Sequence, residues 1–165
     1  MNSFRHILVP TDFGEPAVRA LDLAIELAAK FESRVTVLHV SWVSPYAAAS
    51  QNGFYWPAEE LEKAARKELD AALSKATGRY PNVDGLVRVG EPSQTILEVA
   101  KERRADLIVM GTHGRRGLSR VLLGSVAEKT VRLSPIPVVT ICGKAEQEVK
   151  ERAIAQGSSE TPRHG

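Results

Sequence analysis

Short aliphatic runs recur along the chain, separated by longer stretches in which apolar residues return every third or fourth position. Four runs, His6–Pro10, Arg34–Val40, Ala105–Met110 and Ile136–Ile141, are nearly continuous in Ile, Leu and Val. Continuity of this kind, rather than alternation with polar residues, marks strands buried on both faces, as in a parallel sheet covered by helices. Gly85–Val89 is a weaker fifth run.

The intervening stretches have helical periodicity. Ala17, Leu21, Ala24, Ile25 and Ala28 form one stripe, with Pro16 suited to the first turn. Leu61, Ala65, Leu69, Ala72 and Leu73 form another between Glu59 and Lys75. A third helix is predicted from Ser93 to Arg103, with Ile96, Leu97 and Ala100 inward. The fourth begins near Gly124-Ser125 and stops before Ser134-Pro135, because proline disfavours helix at the residue preceding it. The order β-α-β-α-β-α-β-α-β implies an α/β fold with a mostly parallel sheet and right-handed crossovers.

Two segments stand outside this alternation. Ser41–Pro57 carries Trp42, Tyr46, Phe54, Tyr55 and Trp56, five of the nine aromatic residues. It reads either as a lid or partner surface, or as rings packed over the sheet edge. The tail after Gly143 has little to bury and reads as a frayed helix followed by disorder. Residues 1–143 therefore form the expected domain and 144–165 a tail.

Composition narrows the classes of function. The 165 residues suit one domain, and a net charge of +2 gives no reason to expect nucleic acid or an anionic membrane as partner. A single cysteine, Cys142, excludes an intramolecular disulfide and fits a reducing compartment; at the end of a strand it reads as a packed thiol. No stretch approaches the roughly 18 apolar residues of a membrane span, and the opening residues lack a signal-peptide pattern. A cytoplasmic location is expected.

In an open parallel sheet, ligands bind beyond the carboxyl ends of the strands, where the strand order reverses. The residues there are Pro10-Thr11-Asp12, His39-Val40-Ser41 and Gly111-Thr112-His113-Gly114-Arg115-Arg116-Gly117, the last leading to Gly124-Ser125 at a new helix. Glycine permits close backbone approach, successive amides make an anion cradle, and a helix N-terminus favours phosphate. Arg115, Arg116 and Arg120 add positive charge. From the glycines alone, a phosphate cradle and a structural turn are equally good readings. Neither a Walker sequence nor a G-x-G-x-x-G at the first helix is present. Asp12 has two readings, a ligand group or a cap on the following helix. His6, His39, His113 and His164 show no metal-ligand spacing; His6 and His39 read as core or strand-end residues, and His113 as either a phosphate contact or an exposed side chain.

Gly111-x2-Gly114-x9-Gly124-Ser125 resembles the G-x2-G-x9-G-[ST] signature of the ATP-binding universal stress proteins. Ile7–Asp12 is similar to the opening strand of that family, and Ala105–Gly114 to its fourth strand and loop, so the likeness runs from about Phe4 to Cys142. The resemblance implies a Rossmann-like five-stranded parallel sheet of order 3-2-1-4-5, with ATP (or ADP or AMP) between strands one and four. It implies that Asp12 lies near the adenosine, that Pro10 and Thr11 line the pocket, and that Val40 meets adenine through its backbone. It assigns Gly111, Gly114, Gly124, Ser125 and Val126 to the ribose and phosphates, with Mg²⁺ bridging the phosphates. It further implies a homodimer through Pro137–Ile141, whose apolar edge invites pairing. The expected function is a nucleotide-binding regulatory module of the stress response. Because no base or water-orienting residue stands out, slow ATP hydrolysis ranks below binding. A nucleotide-independent dimeric scaffold is the other alternative.

Overall fold

In a computed structural model of the chain, residues 4–42, 58–112 and 123–143 are described. The strands are β1 (His6–Thr11), β2 (Arg34–Ser41), β3 (Val83–Val89), β4 (Leu107–Gly111) and β5 (Val138–Ile141). The helices among the described residues are α1 (Glu15–Phe31), α2 (Ala58–Thr77), α3 (Pro92–Glu102) and α4 (Ser125–Leu133). All strand pairs are parallel, and the sheet order is β3-β2-β1-β4-β5, as the family resemblance implied.

Successive side chains of a strand point to opposite faces, so each central strand feeds two cores. Ile7, Val9, Val35, Val37, Leu107 and Val109 pack on one face with Ala20, Ala24 and Ala28 of α1 and Leu69 of α2. Leu8, Leu38, Ile108 and Met110 pack on the other with Ile96, Val99 and Ala100 of α3 and Ala127 of α4. The alanine stripe of α1 lets its backbone lie close to the sheet. Leu21 and Leu73, expected inward, sit at the margin of the first core rather than inside it.

Helix ends follow local chemistry. Glu91 caps α3 by accepting the Gln94 amide at 2.8 Å, with Pro92 in the first turn. Chain continuation at Ser134 is extended (ψ 128°) ahead of Pro135, which ends α4 where the sequence predicts. α1 ends with Glu32 left-handed (φ 57°) and the Ser33 amide bonded to the Ala28 carbonyl at 3.1 Å.

Two expectations about the strands need correction. β5 begins at Val138, not Ile136, and its four residues are half-buried rather than buried. It is an edge strand, with β4 alone beside it. β3, the weak candidate, starts two residues earlier than Gly85 and forms the opposite edge.

At the amino end of the sheet a buried polar chain ties three strands together. His6 Nε2 lies 2.8 Å from Thr36 Oγ1, which donates to Asp84 Oδ1 at 2.5 Å, while His6 Nδ1 lies 2.9 Å from the Arg103 carbonyl. His6 is thus the satisfied core histidine that its position suggested. Burial pushes the Asp84 carboxyl up, but hydrogen bonds from Thr36 and Arg34 and the charges of Arg34 and Arg103 outweigh it and hold the group below its ordinary 3.8.

Because the folded value is depressed, Asp84 contributes stability above the unfolded value of 3.8, and that contribution is lost as pH falls below it. Asp84→Asn is expected to flatten the acid limb of a urea-unfolding series between pH 5 and pH 2. Thr36→Val leaves the buried His6 nitrogen unsatisfied and should cost about 1–3 kcal/mol at neutral pH in the same assay.

Candidate functional site

The direction of the chain across the sheet changes between β1 and β4. From β1 the order runs to β2 and β3, with α1 and α2 on one face; from β4 it runs to β5, with α3 and α4 on the other. The helices that follow β1 and β4 therefore lie on opposite faces, which marks the carboxyl edge of these two adjacent strands as the place where open α/β sheets bind ligands.

Pro10 is buried at the end of β1, and Thr11, Asp12 and Phe13 are half-buried in the turn that follows. Thr11 Oγ1 accepts the Phe13 amide and Asp12 Oδ1 accepts the Gly14 amide, each at 3.0 Å. Gly14, not Asp12, is the N-cap of α1 and makes no side-chain cap. Asp12 thus closes a tight side-chain-to-backbone turn just ahead of the helix, in place of the helix cap the sequence offered as one reading. Phe13 takes the left-handed conformation (φ 63°), which for a bulky residue costs about 1–2 kcal/mol. Its ring stacks on that of His39, with centroids 4.8 Å apart and planes at 24°. His39 in turn places Nδ1 3.0 Å from the Thr11 carbonyl, which fits its expected place at a strand end.

Val40 lies one residue beyond the last register pair of β1 with β2, His39 opposite Thr11. It borders the second core, as does Val126 of α4, so these two side chains share one apolar cluster below that edge. Gly124 is the N-cap of α4 with ψ 159° and no side-chain cap, Ser125 is exposed, and Val126 is half-buried. The first turn of a helix carries backbone amides and the positive end of the helix dipole.

β4 and α4 are joined at the carboxyl edge by hydrogen bonds. The Gly124 amide donates to the Thr112 carbonyl at 2.7 Å, and the Thr112 amide donates to the Ile141 carbonyl at 2.8 Å. Gly111 has a packing reason of its own: a Cβ there would lie 2.8 Å from Cβ of Pro16 and 3.0 Å from the Ala17 amide nitrogen. The close approach predicted for this glycine is made to α1. Arg19 of α1 donates to the Cys142 carbonyl at 2.7 Å and fixes the chain leaving β5. Cys142 itself is half-buried.

The structure therefore brings Pro10, Thr11, Asp12, Val40, Gly111, Gly124, Ser125 and Val126 to one edge of the sheet. His113 and Gly114, the three arginines, most of Ser41–Pro57 and the tail lie outside the described residues. Trp42 is described and is exposed. Two contributors escaped the sequence reading. Phe13 gives no signal, since phenylalanine disfavours the backbone angles it adopts. Thr112 had one, being the polar residue after a buried strand, whose amide and carbonyl need partners.

An open parallel sheet whose order reverses between β1 and β4 defines the chain as an α/β protein of the doubly wound class. The universal stress protein family matches residues 3–141, and the chain belongs to that family. Universal stress protein MJ0531 of Methanocaldococcus jannaschii is 33% identical over 141 residues, covering 85% of this chain and 83% of the relative. The solved structure of MJ0577, from the same organism, superposes with a TM-score of 0.71 at 27% identity, covering 86% of this chain and 98% of the other. A universal stress protein from Archaeoglobus fulgidus, solved in complex with dAMP, gives 0.63 at 25% identity, with 84% and 98% covered.

Gly111→Val is expected to destabilise by about 1–3 kcal/mol through the clash with Pro16, whether or not ligand is present. Chemical unfolding of the apo protein measures it; an unchanged midpoint would contradict the close approach of β4 and α1.

Proposed function

We propose that the chain binds an adenine nucleotide (ATP, or ADP or AMP) at the carboxyl edge between β1 and β4 and acts as a nucleotide-responsive regulatory module. The observation that carries this reading is the convergence of three segments, 10–12, 111–112 and 124–126, on one edge of the sheet, where α4 starts on a glycine N-cap. The dAMP complex of the Archaeoglobus fulgidus neighbour supports an adenine nucleotide as the class of ligand. Asp12 faces the adenosine with Pro10 and Thr11 beside it, and the Val40 backbone meets the base. Gly111, His113, Gly114, Gly124, Ser125 and Val126 hold the ribose and phosphates.

The chemistry of the donors fits this division. Amides at a helix start suit phosphate oxygens, and a carboxylate suits the hydroxyls of a sugar. Mg²⁺ is taken through the phosphate oxygens and water, as that ion prefers, and neutralises charge that the backbone amides alone do not. The regulatory reading puts binding ahead of hydrolysis. Assembly as a homodimer through the edge at Pro137–Ile141 and a cytoplasmic location belong to the same proposal; β5 has a free side in the monomer's sheet.

Calorimetric titration of folded variants tests the assignment. Gly114→Val and Gly124→Val should weaken MgATP binding about tenfold or more, since each loses phosphate hydrogen bonds. Asp12→Ala should weaken adenosine and ATP alike. Unchanged ATP affinity in both glycine variants removes the phosphate-loop assignment, and unchanged adenosine affinity removes Asp12.

A further inference from the structure

We infer that Phe13 and His39 form a clamp that holds the turn after β1 in its strained shape, making them positioning residues for the carboxyl edge. The inference rests on the nucleotide reading of that edge and adds to it what prepares the site before ligand arrives.

Each end of the turn is held locally. The Thr11 hydroxyl takes the Phe13 amide, and the Asp12 carboxylate takes the Gly14 amide. The second bond closes across Phe13, whose backbone is in the left-handed region, where an unsupported phenylalanine does not stay. Support comes from β2. His39 lies directly opposite Thr11 in the β1–β2 register, reaches the Thr11 carbonyl through Nδ1, and offers its ring face to Phe13. One side chain thus grips the turn at two points, by a hydrogen bond at its first residue and by a stacked ring at its strained residue. Phe13 also packs against the first core, which anchors the ring on its sheet side.

The grip fixes the ring's chemistry. A carbonyl oxygen has no proton to give, so Nδ1 is the donor. In the neutral ring the proton therefore sits on Nδ1 and not on Nε2. Through Thr11 and Phe13, His39 sets where the Asp12 carboxylate points without itself being required to touch ligand.

Three measurements on the full chain, at a temperature where all variants are folded, test the clamp. Long-range ¹⁵N spectra of the neutral imidazole should place the His39 proton on Nδ1. In His39→Ala, hydrogen exchange at the Phe13 and Gly14 amides should quicken about tenfold while Ile7–Val9 keep their protection, and the MgATP Kd should rise about tenfold. His39→Asn, whose amide nitrogen stands where Nδ1 stood but which has no ring to stack on Phe13, should recover only part of both losses. Phe13→Leu, which keeps an apolar anchor and the His39 hydrogen bond but loses the stack, should show the same local losses as His39→Ala to a smaller extent.

A merely structural histidine would lower protection throughout the sheet and leave the affinity of the folded protein unchanged. Overturning results are a proton on Nε2, local protection unchanged in both His39→Ala and Phe13→Leu, or local protection lost with ATP affinity within about twofold of wild type. If the wild type binds no ATP, the nucleotide reading fails by itself, and the exchange result alone carries or overturns the clamp.

Discussion

β1 and β4 lie side by side, run parallel, and send their chains to opposite faces of the sheet; the site depends on that arrangement. In open α/β sheets, ligands bind beyond the carboxyl ends of adjacent strands whose following helices lie on opposite faces. The pairing itself rests on apolar burial from both sides. Ile7 and Leu107 face α1 and α2, while Leu8 and Ile108 face α3 and α4, and all four are essentially inaccessible to water. A slip of register by one residue would exchange these faces, so the two cores together specify the alignment that brings Thr11 and Gly111 to the same edge.

The two ends of the sheet divide their tasks. At the amino end, the His6–Thr36–Asp84 chain satisfies buried polar groups and links β1, β2 and β3, with Arg34 and Arg103 compensating the carboxylate. At the carboxyl end lie a tight turn closed by side-chain-to-backbone bonds and a helix start with a glycine N-cap. Phe13 adds a left-handed backbone in the turn after β1, one strand away from the ring stacked on it. Satisfied groups at one end and prepared, partly strained groups at the other are what a binding scaffold needs.

Most of the fold was legible because its signals are local or periodic. The aliphatic runs marked every strand, Pro135 marked the end of α4, and the glycine spacing with the opening strand pointed to the family and through it to the strand order. What failed to show is contextual. The half-burial of β5 follows from its being an edge, which no run of valines announces. Gly111 was read either as part of a phosphate cradle or as a structural glycine, and the sequence does not show that a side chain there would meet Pro16, about a hundred positions earlier in the chain. Asp12 was offered as a helix cap, but the extra residue in the turn moves the cap to Gly14. The stack of Phe13 on His39 depends on strand register and on a backbone conformation that phenylalanine's own preferences argue against.

The central claim is that ligand sits at the carboxyl edge between β1 and β4, and amide chemical-shift mapping during a MgATP titration tests it most directly. Saturable shifts are expected at residues 10–14, 40, 111–112 and 124–126, with those of His6, Thr36 and Asp84 at the opposite end unmoved. No saturable shift in the folded protein, or shifts gathered at the amino end or along β5 alone, would contradict the account.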